Sequence, residues 1–199
     1  MDEHHSMRIK KLLYSFIFPL LVGIEGGVLC ACDAGTTYTQ YPCYLVIDNS
    51  VHQDATLASA MNAMSPGVFC TITNNEAKQQ YTFTNNSGLT SVKAYNAIDK
   101  RRTRALGMNG GLIVGFGALT GEFYAYDREC PVCFSPDQVP VRSKPIVTSN
   151  DGIATCSVCK RRFDMNNGGN CVSEGGISGL HRYRASMPTG PFGVLSVGN

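Results

Sequence analysis

Two short cysteine pairs, Cys130-Pro-Val-Cys133 and Cys156-Ser-Val-Cys159, are the residues whose type and spacing most directly specify chemistry in this chain. Thiolates are soft ligands, and a two-residue spacer lets both sulfurs of a pair turn toward one ion. Two such knuckles therefore supply the four ligands of a tetrahedral zinc or iron site. They are separated by 22 residues, slightly beyond the roughly 15 to 20 of the commonest zinc pattern, and a hairpin with a long loop absorbs the excess. One Cys-x-x-Cys alone is as readily a redox disulfide or a pair of core thiols; two so close in sequence point to a metal.

A closed four-sulfur site offers no coordination position to a substrate, so catalysis at the metal is not expected. Backbone amides of each knuckle are expected to donate to the sulfurs. Arg128, Lys160, Arg161 and Arg162 flank the knuckles, where they either offset the thiolate charge or serve as ordinary surface cations. Elsewhere no nucleophile stands with a partnered base. Asp127, Glu129, Asp137 and Asp151 read as loop residues without an acid–base pair, and His181 lacks a cysteine or serine partner in sequence. The sequence gives no argument for an enzyme.

The elements that must position the knuckles read as short strands. Hydrophobic residues at 43% and charged residues at 16% describe an ordered globular chain, and 21 glycines and nine prolines favour strands and turns over long helices. A formal charge of +2 leaves no concentrated basic face for nucleic acid. Strands are expected over Tyr41 to Asp48, Val68 to Thr73, Tyr81 to Thr84 and Glu122 to Asp127. One short helix capped by Asp54 should present Leu57, Ala58, Met61 and Met64, ending at Ser65-Pro66-Gly67. Gly110-Gly111-Leu-Ile-Val-Gly115-Phe-Gly117 imitates a phosphate loop. Without the lysine and following helix it reads as a buried strand whose glycines admit a neighbouring backbone. Lys100 to Arg104 is a small basic cluster, read as a solvated loop, with lipid head groups or an acidic partner as the alternative. Cys43 and Cys70 read either as a disulfide or as buried free thiols, with Cys171 outside the knuckles.

At the N-terminus, Arg8-Ile9-Lys10-Lys11 followed by an apolar run to Val22 reads as the n-region and h-region of a signal peptide, with translation starting at Met1 or Met7. Pro19, Gly23, Glu25 and Gly26-Gly27 interrupt it as a permanent span. Leu29-Cys30-Ala31-Cys32 resembles a bacterial lipobox, which implies cleavage before a lipid-modified Cys32. The expected organisation is a signal peptide over 1–31, a tether over 32–40 and a β domain over 41–199, with a metal-binding subdomain at about 128–165.

From Gly111 to Val197 the order of features resembles a Rieske-type domain. A strand pair precedes the first knuckle. The second knuckle is followed by Arg162-Phe163-Asp164, then Gly168-Gly169, Gly175-Gly176, Leu180, Tyr183 and a closing Gly193-Val-Leu-Ser-Val197. The resemblance implies an all-β, Rieske-like β-sandwich with a small zinc-ribbon or rubredoxin-like cluster-binding subdomain. The departure lies in the ligands: Rieske centres use two histidines, whereas neither knuckle contains one and the chain's four are His4, His5, His52 and His181. The resulting expectation is a membrane-anchored bacterial envelope lipoprotein with an all-cysteine metal site, structural zinc on Cys130, Cys133, Cys156 and Cys159, and binding or structural roles toward an envelope protein partner. The alternative is an electron carrier with a single iron or a [2Fe–2S] cluster on the same cysteines.

Overall fold

The computed structural model describes residues 38–175 and 179–199. The expected signal peptide, lipid-modified Cys32 and most of the tether lie outside the described residues. The fold is all-β, with two antiparallel sheets and only short helices.

The first strand, β1 (Cys43–Asp48), buries Cys43, Leu45 and Ile47 and turns Tyr44 outward, the alternation of a half-buried strand. Asp48 then caps a four-residue helix, α1 (Asn49–His52), by accepting from Ser50 N–H at 3.0 Å. Asp54 caps α2 (Ala55–Ala60) through Leu57 N–H at 2.9 Å. Two short helices thus replace the single one expected. The second stops at Met61, because the Asn62 side chain takes the Met64 N–H and starts a turn, which leaves Met64 exposed instead of in the core.

The larger sheet adds β2 (Phe69–Asn75), β3 (Gln80–Asn85), β4 (Thr90–Ala94), β5 (Ala105–Leu106), β6 (Gly111–Phe116), β7 (Phe123–Asp127), β12 (Arg182–Ser186) and β13 (Val194–Gly198). Its order is β4-β3-β2-β6-β7-β12-β13-β1-β5. Leu45 and Ile47, near one end of that order, share a core with Ile72, Tyr81 and Phe83, near the other, so the sheet curls around one interior. The segment from Tyr95 to Arg104 links the two ends. There the buried Asp99 bonds His52 at 2.9 Å, and Arg104 pairs with Glu76 at 3.0 Å while lying over the Tyr95 ring at 4.1 Å. Lys100, Arg101 and Arg102 of the basic cluster are exposed.

Every residue of β6 is buried. Leu112 and Val114 face the first core, and Ile113 faces a second one on the outer side of the sheet, with Tyr124 and Tyr126 of β7. At Gly115 an added Cβ would stand 2.4 Å from the Val68 carbonyl oxygen, which is the close backbone approach expected of that glycine. The second core is closed by the smaller sheet, β8 (Ile146–Thr148), β9 (Ile153–Cys156), β10 (Arg162–Asp164) and β11 (Asn170–Cys171), in the order β11-β10-β9-β8. Cys43 and Cys70 are buried free thiols; burial raises the thiol of Cys43 to about 12 and that of Cys70 further still. Among the described residues no helix is long and apolar enough to cross a membrane.

Candidate metal centre

The two knuckles grow from the smaller sheet and from the strand that leads into it. The first follows β7. Arg128 O accepts from Ile146 N–H at 2.9 Å, Glu129 pairs with Pro145, and Cys130 N–H donates to Lys144 O at 2.9 Å, so the chain runs antiparallel to the approach to β8. Phe134 N–H then closes the turn onto Cys130 O at 3.0 Å. The second knuckle is the turn between β9 and β10. Cys156 N–H donates to Arg161 O and Lys160 N–H returns to Cys156 O, both at 3.0 Å. Lys160 takes a left-handed φ of 62°.

These two turns bring the sulfurs of Cys130, Cys133, Cys156 and Cys159 within 4.8 Å of one another. Cys130 Sγ and Cys159 Sγ, from different knuckles, are 3.7 Å apart. Four sulfurs at about 2.3 Å from a tetrahedral zinc stand about 3.8 Å from each other, so the donor set fits a single ion. Cys130 and Cys156 are buried in the second core, and Cys133 and Cys159 are partly exposed.

The expected amide donors are present in both turns. Val158 N–H points to Cys156 Sγ at 3.4 Å, and the amides of Val132 and Cys133 serve Cys130 in the same way. Burial pushes the Cys130 thiol well up, and pushes Cys133 up to about 11 with help from neighbouring thiols. Burial also opposes ionisation of Cys159, but the Arg161 amide and the three other thiols hydrogen-bond to its sulfur and lower it to about 7. Metal ligation requires the thiolate form, so binding an ion at these four sulfurs releases thiol protons.

Three of the four acidic residues singled out near the knuckles are tied into the fold, and the fourth, Asp137, is exposed in the loop after the first knuckle. Asp127 ends β7, in keeping with the strand expected over Glu122 to Asp127 and not with its reading as a loop residue, and is fully buried. It accepts from Met108 N–H at 2.7 Å, Glu129 N–H at 2.8 Å and Tyr183 Oη at 2.7 Å, while burial raises its carboxyl above the ordinary range. Glu129, also buried, accepts from Asn109 Nδ2 at 3.2 Å, Ser143 Oγ at 2.5 Å and Lys144 N–H. It fastens both ends of the first knuckle's loop. The sequence pattern does not reveal this role, because the partners lie 14 to 20 residues away. Asp151 lies in the β8–β9 turn, where the Ser149 hydroxyl bonds it. Arg128 turns toward Glu129 at 3.7 Å. His181 packs edge-on to Tyr41 at 5.3 Å, and burial lowers its pKa. Cys171, paired with Phe163 across β10 and β11, borders the second core outside the four-sulfur group.

Neither a protein-family model nor a curated protein sequence matches this chain.

Proposed function

We propose that the protein is a lipid-anchored bacterial envelope protein whose Rieske-like β fold holds one structural zinc ion on Cys130, Cys133, Cys156 and Cys159, and whose role is binding rather than catalysis. The observation that carries this reading is the mutual approach of all four sulfurs to within 4.8 Å. A two-iron cluster separates its two thiolate pairs by the length of its core, whereas one tetrahedral ion draws all four together. The position of the smaller sheet supports the Rieske-like reading: it lies between β7 and β12 in the chain, on the outer face of the larger sheet, with one knuckle in its β9–β10 turn and the other on the segment that leads from β7 into β8. The anchor rests on the Leu29-Cys30-Ala31-Cys32 motif.

One observation favours a second reading, a single iron in electron transfer. Cys133 and Cys159 are partly exposed, and the knuckle tips around them present the exposed Val132 and Val158. Metal analysis and visible absorption of anaerobically purified protein separate the two. The zinc reading expects one zinc per chain and no colour; stoichiometric iron, colour and reversible one-electron reduction replace it with the second. Intact mass of the membrane-extracted protein tests the anchor: an acylated chain beginning at Cys32 supports it, and an unmodified soluble form overturns it.

A further inference from the structure

A groove lies where the smaller sheet meets the outer face of the larger one. Its lining includes Thr71, Thr73 and Thr84 on β2 and β3, Asn86 in the turn after β3, Arg128, and Thr148 on β8, around a cavity of about 380 Å³. Thr71 and Thr84 are direct cross-strand partners. With Thr73 they give this side of the groove an uncharged, hydroxyl-bearing lining. Asn86 closes one end, donating from Nδ2 to Gly67 O at 2.9 Å and to Ser149 O at 3.2 Å.

One wall is a strand edge with unused backbone groups. Ser149 N–H donates to Ile153 O, and Cys156 N–H donates to Arg161 O on the other side of β9. Antiparallel pairing alternates bonded and non-bonded positions. With Val147 opposite Thr155, Val147 directs its N–H and C=O to β9, and Ile146 and Thr148 direct theirs away. Ile146 N–H is taken by Arg128 O at 2.9 Å. Beyond that bond the edge is open, because β8 ends the order of the smaller sheet and Thr148 has no partner strand on its outer side among the described residues. An edge of this kind is a template for another extended chain.

At the point where the protein's own chain leaves the edge stands Arg128. Its Nε is buried without a hydrogen-bond partner among the described residues. Its nearest carboxylate, Glu129, is 3.7 Å away and already accepts from Asn109, Ser143 and Lys144. Its only ion pair among the described residues is therefore with a carboxylate that has three other donors, and Arg128 borders the groove.

We propose that this groove binds an extended peptide segment, which adds as a strand to β8 at Thr148, lies along the threonine lining and sets a carboxylate against Arg128. Among the described residues the lining contains no aromatic ring on which a sugar would stack, and the open backbone edge favours a peptide. This names the partner class for the binding role proposed above and rests on that reading.

The test is selection of a random heptapeptide library with free C-termini on the metal-loaded protein, with metal content measured on the same preparations. Enriched peptides should share a carboxylate at one fixed position, as a side chain or the C-terminus. Thr148→Pro removes an N–H that has no partner among the described residues and should weaken their binding about tenfold or more, with metal content and circular dichroism unchanged. Arg128→Gln should weaken it by about tenfold, and amidation of the selected carboxylate should do the same. If Thr148→Pro fails to fold, Arg128→Gln and the near-isosteric Thr84→Val carry the test. No enrichment over background, or enriched peptides indifferent to these changes, overturns the proposal. A protein that selects such peptides but holds no metal instead overturns the metal reading and leaves the groove standing.

Discussion

The two faces of β6 look into interiors that are built differently. On the inner face, Leu112 and Val114 join Leu45, Ile47, Leu57, Ile72, Tyr81, Phe83 and Leu195, a core made of large apolar side chains from most strands of the larger sheet. On the outer face, Ile113 joins Phe69, Tyr124, Tyr126 and Phe163, together with Cys130 and Cys156, and the smaller sheet that closes this core has strands of only two to four residues. Hydrophobic burial contributes in proportion to area, so packing stabilises the larger sheet more than the smaller one. The smaller one joins residues 128–134 to residues 146–171 with few apolar side chains, and between Ser135 and Lys144 no residue is buried. An ion held by the four sulfurs would cross-link the knuckles and supply there what packing supplies on the inner side.

The contrast breaks most sharply at the buried ligands. Cys130→Ser and Cys156→Ser each remove a thiolate and place a hydroxyl in an apolar setting. Loss on the order of 5 kcal/mol of local stability is expected, read as metal stoichiometry falling to zero and early proteolysis within residues 130–165. Cys133→Ser and Cys159→Ser remove the same metal bonds without the burial penalty and should cost less. Cys171→Ser, outside the four-sulfur group, should leave metal content intact.

The reverse experiment strikes the other interior. Phe83 is fully buried in the inner core, and Phe83→Ala should cost about 3 to 5 kcal/mol of global stability. Metal content below the lowered melting temperature should stay at the native value. If metal were lost in parallel, the two regions would be one cooperative unit and the contrast would fail.

The smallest effect is a pH dependence belonging to the larger sheet. Burial lowers the pKa of His181 below its ordinary value, so the unfolded chain gains a proton before the folded one does. The stability this contributes is fully present above about pH 6.5 and is lost as the pH falls through the folded pKa. The loss should be the smallest of these effects, and His181→Gln should flatten that part of a melting-temperature profile against pH.

Much of this contrast was legible in the residues. The four ligands announce themselves because a Cys-x-x-Cys turn is a local structure whose chemistry needs no knowledge of the fold. The strands are legible for the same reason: Tyr41 to Asp48 is a dense run of aromatic and β-branched residues, and the alternation in Gln80–Asn85 follows from a side-chain period of two. The unbroken burial of Gly111–Phe116 appears as an apolar run, although nothing in the run says that its two faces belong to different cores. What stayed hidden depends on pairing across distance. His52 meets Asp99 over 47 residues, and Tyr183 meets Asp127 over 56. No local pattern marks either pair. The helix Asn49–His52 is too short for an apolar repeat and exists through the Asp48 cap. The groove beside Thr148 is likewise invisible in sequence, because an open edge is a property of strand order.

Hydrogen exchange on the metal-loaded protein and after chelation tests the central claim most directly. Removing the metal should strip amide protection from the knuckles and from β8, β9 and β10, while β1, β2, β3 and β6 keep theirs. Uniform loss across both sheets, or no change at Cys156 to Phe163, would contradict the account.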